Sequence, residues 1–278
     1  MAHRTRGACK RPAFDARKRQ NEVVEPLVLI EQRDRVTWLT LNRPDRRNPL
    51  GLEMMEALID ALTTLPAESS AVVIAAAGPV FSAGHDLAEV LGGDESELEK
   101  IFARCTELME TVSRIPQPVI ARVHGVATAA GCQLVAAADL AVAAESARFA
   151  TPGVKIGLFC STPMVPISRA IGRKRAMEML LTGQMIDART ALDWGLVNRV
   201  VPDDQLDDAV SELVESIIAF SPAVIALGKR TFHSQMDVDQ HQAYEETRAV
   251  MVANAQMDDA KEGIGAFLEK RPPTWRGR

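Results

Sequence analysis

No cysteine pair in the 278-residue sequence has the spacing of a metal or redox motif. Cys9, Cys105, Cys132 and Cys160 show neither CxxC nor Cys/His clustering, which leaves no zinc site to read and marks them as reduced, buried thiols of a cytosol-like compartment. A membrane-length apolar run is missing too. The longest candidate, LVAAADLAVAA, is broken by Asp139 and falls well short of the roughly 20 residues a membrane helix needs. Nor is there an excess of positive charge: the formal net charge is −5, which removes the electrostatic footprint of general nucleic-acid binding. No Pro/Gly/Ser-rich linker or internal repeat divides the chain.

The first 20 residues, MAHRTRGACKRPAFDARKRQ, have no apolar core and so do not read as a secretory signal. They carry seven Lys/Arg against one Asp and no Ser. A disordered basic arm over residues 1–26 is the expectation, with an Arg-rich transit peptide as the alternative. Arginine outnumbers lysine threefold, in keeping with a GC-rich bacterial genome. The expected location is cytoplasmic, or mitochondrial for a eukaryotic source.

What is present is an ordinary soluble composition, 47% hydrophobic and 25% charged, in a chain long enough for one large domain or a core with an appendage. LVLIEQ and RVTWLTLNRP read as two strands joined by a turn at Gln32 to Arg35. In GLEMMEALIDALTTL, Leu52, Met55, Leu58, Ile59 and Leu62 share one helical face; so do Leu98, Ile101, Phe102, Cys105, Leu108, Met109 and Val112 farther on. AVVIAAAG is a continuous apolar run of strand length, as a fully buried strand requires. FSAGHDLAEV reads as a turn, and PVIARVHG as the next strand. Further strands follow at AVAAES and ARFAT, and from Pro163 onward the chain reads as helices alone. Strands interleaved with helices, then helices, predict an α/β core with a helical segment packed on it or on a neighbour.

Two small-residue turns directly follow buried strands: FSAGHDL and ATAAGCQL. In the second, the N–H groups of Ala129, Ala130 and Gly131 fall at a helix start, where they lack intrahelical acceptors and favour an anion or a developing oxyanion. Two such turns on neighbouring strands could aim N–H donors at one carbonyl oxygen. Packing of a strand–helix junction accounts for the same small residues.

Taken together, the segments LTLNRPDRRNPL, VVIAAAGPVFSAGHDL, PVIARVHGVATAAGCQLVAAADLAVAAESARFATP, TGQMIDARTALDWGLVNRVVP and EGIGAFLEKRPPTW resemble, in order and spacing, the crotonase family, also called the enoyl-CoA hydratase/isomerase superfamily. The resemblance runs from about Leu27 to Trp275. Within the family the wording GHDL, ATAAGCQL and GLFCSTP is most similar to the subgroup called enoyl-CoA hydratase domain-containing protein 3. The resemblance implies an α/β fold of repeated ββα units wound into a spiral over residues 27–205. It also implies a C-terminal helical region for trimerisation over 206–278, and a homotrimer or a hexamer made of two trimers. The implied ligand is an acyl-CoA thioester, with its carbonyl held by the backbone N–H groups of His85 and Ala130. Asp45, Arg46 and Arg47 would approach the CoA nucleotide, although a solvated surface cluster explains the two arginines as well. Ala83, His85, Asp86, Leu87 and Ala88 would line the pantetheine–thioester channel. Phe267 and Lys270 would reach a CoA, often that of an adjacent subunit. No metal and no cofactor beyond CoA itself is implied.

The sequence also departs from that family. Its hydratases use two glutamates, one following the small-residue run and one following a proline. Here those positions hold Gln133 and, in Thr151-Pro152-Gly153, Gly153. An amide has no usable proton affinity at neutral pH, though it can hydrogen-bond a water or a thioester, and a glycine contributes only space. General acid–base groups contribute typically about 10²–10⁴-fold, so efficient hydration is not expected. Among substitutes, the His85 imidazole titrates in a useful range, and Asp86 occupies a turn position where an acid is often structural. Ser161, flanked by Cys160 and Thr162, could orient a water or act as a nucleophile but has no His/Asp relay in sequence. His124 reads as a structural histidine. Two functions stay open: a thioester enzyme running hydrolysis, decarboxylation or isomerisation, and a non-catalytic acyl-CoA or fatty-acyl binding protein.

Overall fold

The computed structural model describes residues 25–277; the basic N-terminal segment and Cys9 lie outside the described residues. The chain enters through an antiparallel hairpin, β1 (Val28–Arg33) and β2 (Val36–Leu41), with Arg33 opposite Val36 and Val28 opposite Leu41. Asp34 turns the corner at φ 50°, a left-handed conformation that aspartate tolerates. β1 is an edge strand, exposed after Val28, whereas β2 is buried except for Thr40. Helix α1 (Leu52–Thr63) follows and buries Met54, Met55, Leu58, Ile59, Ala61 and Leu62.

Three strand pairs then repeat one construction. β3 (Ala71–Ala76), β5 (Val119–Val123) and β7 (Leu140–Ala144) lie parallel in a first sheet. Their immediate successors β4 (Val80–Ser82), β6 (Val126–Thr128) and β8 (Arg148–Ala150) lie parallel in a second. Helices α2 (Leu87–Gly92) and α3 (Glu95–Arg114) lead from the first pair to the second, and α4 (Ala130–Ala137) from the second to the third. This is the spiral of ββα units that the resemblance implies. No sequence repeat marks it because the connecting helices differ so much in length. β3 is buried at every position, as its unbroken apolar run requires for a strand covered on both faces.

The last third is not helical throughout. Among α5 (Met164–Ile171), α6 (Arg173–Thr182), α7 (Ala188–Trp194) and α8 (Leu206–Ile218), two short strands complete the sheets, the first between α6 and α7 and the second between α7 and α8. β9 (Ile186–Asp187) pairs antiparallel with β8, and β10 (Arg199–Val201) pairs parallel with β7. The sheets therefore run β1-β2-β3-β5-β7-β10 and β4-β6-β8-β9. Strands of two and three residues carry no readable periodicity, which is why helix patterns hid them. The stretch FSAGHDLAEV also corrects: it turns only as far as Asp86, whose carboxylate accepts from Ala88 N at 3.1 Å and starts α2.

Two apolar layers hold the molecule together. One fills the space between the sheets and α1, α3 and α4; the other joins the outer face of the first sheet to Leu206, Val210 and Val214 of α8. α9 (Pro222–Gln235) and α10 (Gln240–Gln256) bury no residue, while α11 (Asp258–Glu269) buries Asp259 and Ala266. α9 is fastened to the core by Lys229, whose Nζ meets Asp139 at 2.7 Å and donates to Val112 O and Gln117 O at 2.8 and 2.9 Å.

Candidate functional site

The loop Arg43–Leu50 is stitched to the end of β4 by one buried side chain. Asn48 donates from Nδ2 to Ala77 O and Val80 O, while its Oδ1 accepts from Arg43 N. Ser82 Oγ donates to Asn48 O, Ala83 N to Arg47 O and Leu50 N to Gly84 O. Every polar group of Asn48 is thus used inside the protein, which fixes the GHDL turn before any ligand arrives.

The second turn meets the first. A Cβ placed on Gly84 would lie 2.8 Å from Ala129 Cβ, 3.0 Å from Thr128 O and 3.2 Å from Ala130 N. One placed on Gly131 would lie 2.6 Å from Ser82 O. Only glycine allows the two turns to come this close, so the backbone nitrogens of His85 and Ala130 are brought together. Ala129, at φ 49° and ψ −118°, turns the chain into α4, in a conformation that costs an alanine on the order of 1–3 kcal/mol. Its own N–H is spent on Ala150 O and its carbonyl accepts from Gln133 N. Neither His85 N nor Ala130 N donates to any acceptor among the described residues. Two N–H groups without an acceptor among the described residues, one at a strained helix start and one next to the Gly84 contact, are donors of the kind that suits a carbonyl oxygen gathering charge.

The two side chains nearest this pair, those of His85 and Gln133, are neutral. Burial pushes the His85 imidazole down to about 4, so the ring carries no charge at neutral pH and is a poor base. It stacks edge-on against Phe102 of α3, and its Nε2 is buried with no partner among the described residues. Gln133 is 3% exposed, and its Oε1 accepts from Cys105 Sγ of α3 at 3.6 Å. Asp86 is tied up as the cap of α2 and as the partner of Arg46 at 2.8 Å, which makes it structural. His124 bonds Gly78 O through Nε2 at 2.6 Å and holds a strand corner.

The glycine at the second departure is not an open space, contrary to the sequence reading. A Cβ on Gly153 would lie 2.9 Å from both Cys160 Sγ and Leu158 O, so the chain folds back into the volume a side chain would occupy. Burial raises the Cys160 thiol and pushes Cys132 up to about 12; neither is a ready nucleophile. Ser161 is exposed, and its hydroxyl donates to Phe159 O at 3.3 Å. Beside Gly153, Thr151 is fully buried, and its hydroxyl has no partner among the described residues.

The remaining named residues divide into those the fold brings to the turn and those it does not. Asp45, Arg46 and Arg47 are exposed on the stitched loop; Ala83 is exposed on the turn, and Leu87 and Ala88 are exposed at the start of α2. Phe267, 82% exposed, and Lys270 lie on or just after α11, which packs chiefly on α9 and α10. Two surface cavities, of about 490 Å³ between the ends of α1 and α3 and about 160 Å³ beside Arg148 and Asp187, contain none of these residues. Sequence reading missed Asn48, Phe102, the pairing of Cys105 with Gln133, and the role of Cys160 as a filler. Of these only Asn48 carried a local signal, as an asparagine in a turn.

Residues 31–278 match the family model described as "Enoyl-CoA hydratase/isomerase". The chain is 44% identical over 270 residues to the mitochondrial enoyl-CoA hydratase domain-containing protein 3 of Danio rerio, covering 96% of this chain and 93% of that one. A crystal structure of an enoyl-CoA hydratase from Mycobacterium smegmatis is 50% identical, with a TM-score of 0.88 over 90% of this chain and 99% of that chain. The crystal structure of human enoyl Coenzyme A hydratase domain-containing protein 3 is 42% identical, with a TM-score of 0.88 over 90% and 100%.

Proposed function

The chain belongs to the enoyl-CoA hydratase/isomerase family, and from that premise we propose that it binds an acyl-CoA thioester with the carbonyl oxygen between the N–H groups of His85 and Ala130. The observation that carries this reading is the contact of Gly84 with Ala129 and Ala130, which juxtaposes two unspent donors. Removing one donor of such a pair typically costs about 2.7–4 kcal/mol of transition-state stabilisation. Hydrolysis, decarboxylation and isomerisation of a thioester all gather charge on that oxygen and are the reactions the pair can promote. Rapid hydration is not, because Gln133 is an amide and Gly153 offers no proton carrier. Arg46, Arg47 and Lys270 are the cations offered to CoA phosphates, with Asp45 on the same loop and Phe267 beside Lys270.

A binding protein without turnover is the second reading. It is favoured by the filled space at Gly153 and by the neutral state of the buried His85 ring. One experiment tests both. Butyryl-CoA, crotonyl-CoA and free CoA are titrated into the protein, and turnover is followed on a panel of acyl and malonyl-type thioesters. Thioesters that bind no better than CoA sink the carbonyl site altogether; tight binding with no turnover of any panel member selects the second reading.

The same proposal covers assembly and location. α9 and α10 have no core of their own and expose Phe232, Tyr244, Met251 and Val252, an apolar surface of the kind that subunit association covers. On this reading residues 206–278 serve trimerisation, with α8 also serving the core, and the assembly is a homotrimer or a hexamer of two trimers. Light scattering on the purified chain decides this, and a monomer refutes it. The relatives named mitochondrial make a mitochondrial address the counterpart of the basic N-terminal segment, while the Mycobacterium smegmatis match suits a bacterial cytoplasm.

A further inference from the structure

Gln133 has two ends, and the structure uses only one. Its Oε1 accepts from the Cys105 thiol, which burial pushes up to about 12 and so keeps protonated as a donor. Its Nε2 has no partner among the described residues. It is also absent from the buried unpartnered side-chain atoms, which are His85 Nε2, His124 Nδ1 and Thr151 Oγ1, so the amide nitrogen opens onto accessible space. Direction follows from the helix. Side chains lean toward the N-terminus of their helix, and residues three apart share a face. Gln133 therefore leans back toward Ala130, about 4.5 Å along the axis. Phe102 and Cys105, one turn apart on α3, hold the His85 ring and the Gln133 amide from behind.

We infer that Cys105 is a positioning residue that turns the Gln133 N–H₂ toward the acyl group, so that the site prefers thioesters bearing an acceptor oxygen on the third acyl carbon. A ligand whose carbonyl oxygen rests on His85 N and Ala130 N has its next two or three carbons within reach of that amide. An amide fixed as a donor rewards a hydroxyl or ketone oxygen there and gains nothing from a saturated or unsaturated hydrocarbon. This rests on the thioester-binding reading above.

The test is calorimetric titration of the full chain with 3-hydroxybutyryl-CoA, acetoacetyl-CoA, butyryl-CoA and crotonyl-CoA, each checked intact afterwards. One net hydrogen bond predicts that the two oxygen-bearing thioesters bind about five- to tenfold tighter than the other two. The preference disappears in Gln133→Leu, shrinks in Cys105→Ala and returns in Cys105→Ser, whose hydroxyl can donate to the same Oε1. A merely structural cysteine would weaken all four ligands alike. Equal affinity for all four in the unmodified protein, or a preference that Cys105→Ala leaves intact, overturns the inference. Should Cys105→Ala not fold, the unmodified protein and Gln133→Leu decide it. Failure of the underlying reading looks different, because butyryl-CoA then binds no better than CoA.

Discussion

Gly153→Ala is the substitution that most directly tests whether the second departure is a gap or a filled contact. The new Cβ would stand 2.9 Å from Leu158 O and 2.9 Å from Cys160 Sγ, and Leu158, whose N–H donates to Gly153 O, cannot swing its own carbonyl aside cheaply. Overpacking of this kind costs about 1–3 kcal/mol. Replacing glycine at an ordinary φ returns about 0.4–1 kcal/mol through the unfolded chain. The net loss of ~1–2 kcal/mol lowers Tm by roughly 2–8 °C in a chain of this length. Gly153→Glu adds two methylenes and a carboxylate to the same crowded, buried position, so it destabilises more. For the same reason the pair Gln133→Glu and Gly153→Glu is expected not to restore hydration, although it supplies both carboxylates. Adding Cys160→Ala relieves the sulfur contact but not the carbonyl one. The assays are thermal melting of each variant and loss of enoyl absorbance with crotonyl-CoA. A Gly153→Ala protein that melts at or above the unmodified temperature, or a double variant that hydrates rapidly, would refute the filled-contact argument.

Three other outcomes follow from the same coordinates. Gly84→Ala, at φ 91° and within 3.2 Å of Ala130 N, separates the two donors and is expected to weaken butyryl-CoA binding about tenfold, about the 1.4 kcal/mol of one lost hydrogen bond; titration calorimetry checks it. Burial holds His85 at about 4, below its ordinary 6.5, so the unfolded chain takes up a proton that the folded chain refuses. Its contribution is whole above pH 6.5 and is lost as pH falls toward 4, up to about 3 kcal/mol, and urea melts across that window should steepen less in His85→Ala. Lys229→Met removes the cation of the buried pair, leaving Asp139 with Val119 N and His233, and is expected to cost up to about 3 kcal/mol, with hydrogen exchange rising first in α9.

Most of the frame was legible because its signals are periodic and local. The apolar run of β3, the faces of α1 and α3 and the small-residue entrance to α4 each predicted their element. β9 and β10 were not legible, since two- and three-residue strands are defined by their neighbours and not by their own pattern. The site divides along the same line. Gln133 and Gly153 could be singled out by position, yet what surrounds them comes from far away in sequence. Cys105 reaches Gln133 from a different helix, and Cys160 reaches Gly153 through a loop that folds back on itself. Arg46 was a free cation by sequence, but the fold pairs it with Asp86.

The geometry of the donor pair does not depend on the groups that would do acid–base work. Ala129 holds an unfavourable φ, Gly84 and Gly131 permit an approach that no other residue allows, and two buried-strand ends are fixed by the fully used polar groups of Asn48. Every one of these terms sits in the strand ends and helix starts of the spiral, so the fold rebuilds the pair whatever stands at positions 133 and 153. Proton transfer depends instead on single side chains that can change without disturbing the strands. The backbone geometry of the two turns is therefore the property this scaffold holds most firmly. In this chain the Gln133 amide is held by Cys105, and Cys160 and Leu158 fill the space beside Gly153. Carboxylates at positions 133 and 153 thus require repacking of α3 and of the loop after Gly153, and the two substitutions alone do not provide it.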